Sequence, residues 1–301
     1  MADPISVVVE RGAVVESVHR ADAAVWRDGA LVGEAGDSGL VTFMRSAAKP
    51  FQALPLALEE PDLPAEELAI ACASHEATPD QLALVRALLA RADASEDELA
   101  CGEEHGSKTG HNCSGKHAGM LLRVRRHGWP REGYAEAGHP LQTELLAVVA
   151  GATALPPAEI ATATDGCGVL TFAVPLEAMA RAFARLGRRE LPGSEPVVKA
   201  MLAHPEIVGG PSAADTALMQ ARPGMLAKRG AEGLLCAALP DGTGIALKVE
   251  DGANRAAGPA LALLLGIQEL QETPLFNSRC EQVGRLFPRW KKSGSLFPSE
   301  M

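Results

Sequence analysis

The chain has 301 residues and a formal net charge of -10, with 47% hydrophobic and 22% charged residues. That acidic surplus argues against a nucleic-acid partner, which needs a basic face to neutralise phosphates. No run of apolar residues is long enough for a membrane-spanning helix, and the length allows one or two domains around a large core.

The opening MADPISVVVERG places acids where a secretory leader would have a basic region and a long apolar stretch, so a cytoplasmic protein is expected. Its six cysteines (72, 101, 113, 167, 236 and 280) are then expected to be mostly reduced thiols, and their spacing matches no simple C-x-x-C zinc finger.

In chain order, ISVVVERG, AVVESVHRADAAVWRDG and ALVGEAGD predict strands, with Asp28-Gly29 as a hairpin turn. From Ser46 the pattern becomes alanine- and leucine-rich. Residues 46–58, 79–91, 114–126, 140–150, 175–185, 195–203 and 212–221 suit helices. Two glycine-rich polar segments, 101–119 and 162–168, read as loops, the places where function concentrates. GMLAKRGAEGLLCAALPDGTGIALKVEDG predicts two or three antiparallel strands turning at Pro240–Gly244, followed by a helix over 254–270. The expectation is an α/β (α+β) fold. A mixed or antiparallel sheet is built from N- and C-terminal strands with flanking helices, and a helical lobe fills the middle. Residues 1–287 form one catalytic unit of two interleaved lobes, the sheet lobe about 1–45 and 223–287, the helical lobe about 46–222. A loose tail is expected over 288–301.

The segment 45-RSAAKP-50 sets Ser46 and Lys49 three apart, a spacing at which an amine can take a serine's proton. Chance produces this spacing readily, and Ser46 also suits a helix cap. Pro50 cannot donate to the Ser46 carbonyl and biases Lys49 away from helical angles, which puts Ser46 at or just outside the helix mouth. Arg45 is a candidate cation or carboxylate clamp, or simply a surface arginine. A second serine, Ser74, lies in 70-IACASHEAT-78, where Thr78-Pro79 starts a helix. His75 beside it would point to the opposite face of a strand. Lys248, in the apolar strand GIALKVEDG, is either a desolvated lysine of lowered pKa or one that snorkels from an edge. Lys108-Thr109-Gly110 copies the KTG triplet of penicillin-binding enzymes, but in a mid-chain loop rather than on a late strand. In 111-HNCSGKHAGM-120, Cys113 and Lys116 share a helical face, and with Cys167 of TDGCG they suit a zinc or thiolate site. Buried cysteines beside an anion-binding turn are the alternative. Asp165 in that turn suits a substrate ammonium group.

Together RSAAKPFQALPL, CASHEAT, HNCSGKHAGML, TDGCGVLTFAVPL, AHPEIVGG and GIALKVEDGANRA resemble the asparaginase II family, the thermolabile, rhizobial-type L-asparaginases. The motifs run in order over nearly the whole chain. The resemblance implies a serine β-lactamase/glutaminase-like fold and two Ser-Lys tandems, Ser46 with Lys49 and Ser74 with Lys248. It implies zinc held by Cys113, Lys116 and Cys167 with Cys236 nearby, and substrate contacts from Arg45, His117 and Asp165. The implied activity is hydrolysis of the L-asparagine side-chain amide through an acyl-enzyme on a homodimer, with Ser46 the expected nucleophile and Lys49 its base, Ser74 with Lys248 polarising or relaying protons or the two serines exchanging roles, Arg45 on the α-carboxylate and Asp165 on the α-ammonium. A glutaminase or broader amidase is the alternative, since one methylene changes discrimination by only about 1–3 kcal/mol. A non-catalytic zinc- or amino-acid-binding homologue is the second. Glu76, where the family often has a small or amide residue, and Cys280, in place of glycine, depart from the pattern.

Overall fold

The structure, a computed structural model, describes residues 2–290. Strands β1 (Ile5–Arg11), β2 (Val14–Arg27) and β3 (Ala30–Ala35) open the chain, and the long β2 pairs with β1 along its first half and with β3 along its second. The β2–β3 turn is Asp28-Gly29, with φ of 50 and 82°, the left-handed values a two-residue hairpin turn requires. A short strand β4 (Val41–Phe43) leads into a 3-10 turn, Arg45–Ala48, and then into α1 (Lys49–Gln52) and α2 (Leu54–Glu59).

The middle of the chain supplies α3 (Ala65–Ala71), α4 (Pro79–Ala92), α5 (Ser114–His127) and α6 (Pro140–Thr153). Strands β5 (Ala161–Thr164) and β6 (Leu170–Pro175) follow, then α7 (Leu176–Gly187), α8 (Ser194–Ala203), α9 (Pro205–Gly209) and α10 (Ala214–Ala221). Strands β7 (Leu226–Arg229), β8 (Leu234–Ala238) and β9 (Gly244–Val249), helix α11 (Asn254–Leu265), and strands β10 (Thr273–Phe276) and β11 (Gln282–Arg289) complete the described chain.

The large sheet runs β10-β11-β1-β2-β9-β8-β7, with β3 added beside β2, and all of its pairings are antiparallel. N- and C-terminal strands therefore share one sheet, with helices packed on it, as the pattern predicts. α7 packs on β9, β2 and β8, and α11 on β11, β9, β1 and β8. One continuous apolar cluster joins the sheet to the helical region. Within it Phe51 of α1 meets Phe183 of α7 edge to face at 5.3 Å.

Four local expectations are corrected. The apolar run before Ser74 is the end of helix α3, because tertiary packing overrides the β-like composition of so short a segment. Residues 162–168 are not all loop: β5 and β6 flank a turn and pair with each other, and β6 also pairs with β4, making a second, three-stranded sheet. Lys49 takes helical angles (φ -57, ψ -40) despite preceding Pro50, since burying its side chain outweighs the pre-proline bias. Residues 288–290 of the expected tail are held by hydrogen bonds. Pro288 and Arg289 pair with Val7 and Ser6, and the Trp290 indole donates to Asp3 O at 2.8 Å. Residues 291–301, the rest of the expected tail, lie outside the described residues.

Gly115, in the first turn of α5, brings the 111–117 segment against α3. A Cβ there would stand 2.2 Å from Ile70 O. Gly115→Ala is expected to cost about 1–3 kcal/mol, read as a lower urea midpoint with an unchanged slope.

Candidate active site

Four separate stretches of chain converge on Ser74. The loop after α3 carries Ser74 itself, its N–H bonded to Val208 O at 2.8 Å. The first residue of α1 sends Lys49 Nζ to Ser74 Oγ at 3.0 Å, to Ala73 O at 2.5 Å and to Asn112 O at 3.5 Å. The edge strand β7 sends Lys228 Nζ to the same Oγ at 3.0 Å, to Arg229 O at 3.1 Å and to Asp215 Oδ2 at 3.3 Å. α10 supplies Asp215, whose other oxygen accepts from Arg229 Nη1 at 3.2 Å. Lys49, Ser74, Lys228 and Asp215 are all buried.

Ser46 stands in the 3-10 turn before α1, outside the helix proper, as Pro50 led one to expect. It lines a cavity of ≈ 920 Å³ together with Ser74, His75, Glu76, Asn112 and Arg229. Among the described residues its hydroxyl has no hydrogen-bond partner, and Lys49 reaches Ser74 instead. Arg45, just before it, has φ 47°, a left-handed value that strains a residue with a side chain and that persists where surroundings enforce it. Its N–H donates to Thr171 Oγ1 at 3.1 Å.

Lys248 is not the partner of Ser74. Along the large sheet Lys228, Cys236 and Ala246 form one cross-strand row, whereas Lys248 stands one residue pair further on, opposite Leu234 and Asp22. Its Nζ donates to Val249 O, and it lines a separate cavity with Asp22, Asp37 and Leu40. Burial does lower its pKa, as its apolar strand predicts. The residue missed by sequence reasoning is Lys228. Lys228-Arg229-Gly230 has lysine-x-glycine spacing on a late strand, the context in which the KTG triplet is informative. Asp215 was also missed, and no sequence pattern marks it.

Burial pulls the Lys228 pKa down to about 8, and Asp215 opposes that shift. Burial also works against ionisation of Asp215, yet Lys228 and Arg229 outweigh it and hold that carboxyl below its ordinary value. His75 is a neutral structural group: burial lowers its pKa to about 4, Nε2 shares a hydrogen bond with Ser114 Oγ at 2.8 Å, and Nδ1 accepts from Ala77 N. Glu76 accepts from Ser212 Oγ at 2.6 Å on the cavity wall.

A second cluster gathers the other expected residues. Arg45 Nε bonds Asp165 Oδ1 at 2.5 Å, so the groups expected to hold a carboxylate and an ammonium hold each other. Lys116 Nζ donates to Cys167 Sγ at 2.9 Å, and Cys113 Sγ donates to Asn112 Oδ1 at 2.9 Å. The neighbouring Cys167 thiol and Lys116, acting against burial, hold the Cys113 thiol well below its ordinary value, and Cys113 in turn pushes Cys167 up. Burial disfavours the Lys116 charge, but the two sulfurs outweigh it and raise its pKa, so positive charge is favoured at this point. Two sulfurs and a nitrogen, one sulfur readily ionised, are a donor set that suits zinc. Among the described residues no three His, Cys, Asp or Glu side chains converge as a metal site, and the third donor here is a lysine. His117 is fully buried, its Nδ1 sharing a hydrogen bond with Tyr134 OH at 2.7 Å, and it is not on the cavity wall. Cys236 lies opposite Lys228 on the large sheet.

Residues 7–286 match the family model described as L-asparaginase II. Comparison with curated proteins finds no match. Two solved structures of a protein called Mglu, one in its native form and one in its native form with 4.3 M NaCl, are similar at 15% and 17% identity with TM-scores of 0.47 and 0.39. Each similarity covers 83% of this chain and 64% and 61% of theirs, so the chain spans less than two thirds of the length of those structures. The family match takes in Ser46, Lys49, Ser74, Lys228 and the thiol cluster, and this chain belongs to the L-asparaginase II family.

Proposed function

We propose that the protein hydrolyses the side-chain amide of L-asparagine to L-aspartate and ammonia through an acyl-enzyme. The observation that carries this reading is the Ser74 hydroxyl, 3.0 Å from each of two buried lysine amines, in a cavity that Ser46 also lines. A buried amine is readily held neutral and can then accept a serine proton. Family membership supports an amide as the substrate.

In this reading Ser46 Oγ attacks the amide carbon. Its proton passes to Lys49, directly or through Ser74 Oγ, and then to the departing nitrogen, so that ammonia leaves and the acyl-serine remains. Water, deprotonated by the same amine, cleaves the ester and returns the proton to Ser46. Arg45 and Asp165 exchange their mutual ion pair for the α-carboxylate and α-ammonium of the amino acid, which conserves charge balance. Cys113, Lys116 and Cys167 would hold zinc, which would supply a Lewis-acidic centre that orients substrate; the serine chemistry does not depend on it. The homodimer and the cytoplasmic setting belong to the same reading, supported by the family resemblance and by six free cysteines. In the described residues no helix is long and apolar enough to cross a membrane.

Ammonia release from asparagine tests the proposal. Ser46→Ala is expected to lower kcat by at least ~10³-fold and Lys228→Met by ~10²-fold or more, whereas Lys248→Met stays near wild type. Wild-type protein that releases no ammonia from asparagine, glutamine or simple amides would leave the non-catalytic reading in its place. Faster turnover of glutamine than of asparagine would favour the glutaminase.

Metal analysis addresses the thiol cluster separately. Purified wild type is expected to carry about one zinc per chain, Cys167→Ser almost none, and Ser46→Ala as much as wild type. Equal zinc in the wild type and Cys167→Ser would remove Cys167 from the ligand set.

A further inference from the structure

The two lysines on Ser74 raise a question of proton placement. A serine hydroxyl has one hydrogen, so it donates to one amine and accepts from the other. Two ammonium groups on one buried oxygen would repel each other strongly, so one lysine carries the extra proton and the other is a free amine. Counting partners leaves two solutions. Lys228 has three acceptors, Asp215 Oδ2, Arg229 O and Ser74 Oγ, which matches an ammonium with three hydrogens. Lys49 has two carbonyls, Ala73 O and Asn112 O, plus Ser74 Oγ. It can donate twice as a neutral amine and accept the serine hydrogen on its lone pair, or donate three times as an ammonium.

The tie is broken by the one carboxylate in the cluster. Asp215 is fully buried and touches Lys228, not Lys49. We propose that Asp215 is a positioning residue that assigns the shared proton: it keeps Lys228 as the ammonium donor to Ser74 and so leaves Lys49 as the neutral base. The same carboxylate orients Arg229, whose Nη2 donates to Ser74 O at 2.8 Å and to Gly209 O at 2.9 Å, fixing the serine's backbone. The charged or titratable groups around Lys228 are Asp215 from α10, Lys49 from α1, Arg229 beside it, and the Cys72 and Cys236 thiols from the end of α3 and from β8. Of these only Asp215 favours its charge. The kinetic consequence rests on the amide-hydrolase reading; the proton assignment does not.

The test compares wild type with Asp215→Asn, which keeps the shape and removes the charge. Loss of an adjacent carboxylate lowers a cation's pKa, here by about 1–3 pH units. An activity that needs the Lys228 ammonium is lost as pH rises through that pKa, so the alkaline limb of kcat/KM for asparagine should move to lower pH by that amount. A merely structural role for Asp215 would lower activity at every pH and leave the limb in place, and that result overturns the proposal. Lys228→Arg covers the case in which Asp215→Asn does not fold. A guanidinium stays charged, so the limb should vanish, and an unchanged limb sinks the assignment. A readout independent of asparagine is the NMR titration of protein labelled with 13C at lysine Cε, the Lys228 signal being identified by its absence in Lys228→Arg. At pH 7 Lys228 is expected to be the charged member of the pair. The opposite order overturns the inference even if the substrate proves not to be asparagine.

Discussion

The organising constraint of this molecule is a buried hydroxyl held between two buried amines whose positive charges would repel each other. Ser74 Oγ stands 3.0 Å from Lys49 and from Lys228, all three groups removed from water. Burial makes an ammonium costly and an unpaired amine reactive. The fold therefore has to deliver acceptors for every lysine hydrogen and a counter-charge for the excess proton. The carbonyls of Ala73, Asn112 and Arg229 meet the first need, and Asp215 meets the second.

The secondary structure follows from that demand. β7 is at the edge of the large sheet, which lets Lys228 reach beyond the sheet to a loop of the helical region. α1 begins at Lys49, so its amine leaves the helix mouth beside the cavity rather than from a helix flank. The close approach of α5 to α3 at Gly115 brings Asn112 within reach of Lys49 and seats the Cys113–Lys116 segment one turn away. The strained Arg45 backbone links the two clusters, with Ser46 on the cavity side and the Asp165 ion pair on the thiol side.

Much of the fold was legible because it rests on local rules. The Asp28-Gly29 turn, the capping box of Thr78 with Gln81 at the start of α4, and the lengths of α4 to α8 all follow from nearest neighbours and periodicity. What was misread was short or shared. α3 has only seven residues, too few for a helical period to show. β5 and β6 flank a glycine turn whose polarity masks them. Ser46, Lys49, Ser74 and the thiol segment were visible as motifs, since each is a compact stretch of unusual side chains.

The sequence by itself marked the candidate residues: two serines, a set of lysines in apolar surroundings, and a thiol-lysine pair at helical spacing. It could not choose between Lys228 and Lys248. Both lie in apolar strands and, by their registers, on the same face of the sheet, so period-two alternation treats them alike. Only strand order separates them, placing one at the edge nearest Ser74 and the other opposite Asp22, two strands away. The role of Asp215 was equally a tertiary decision, because the charge on a buried amine depends on which carboxylate the fold brings beside it.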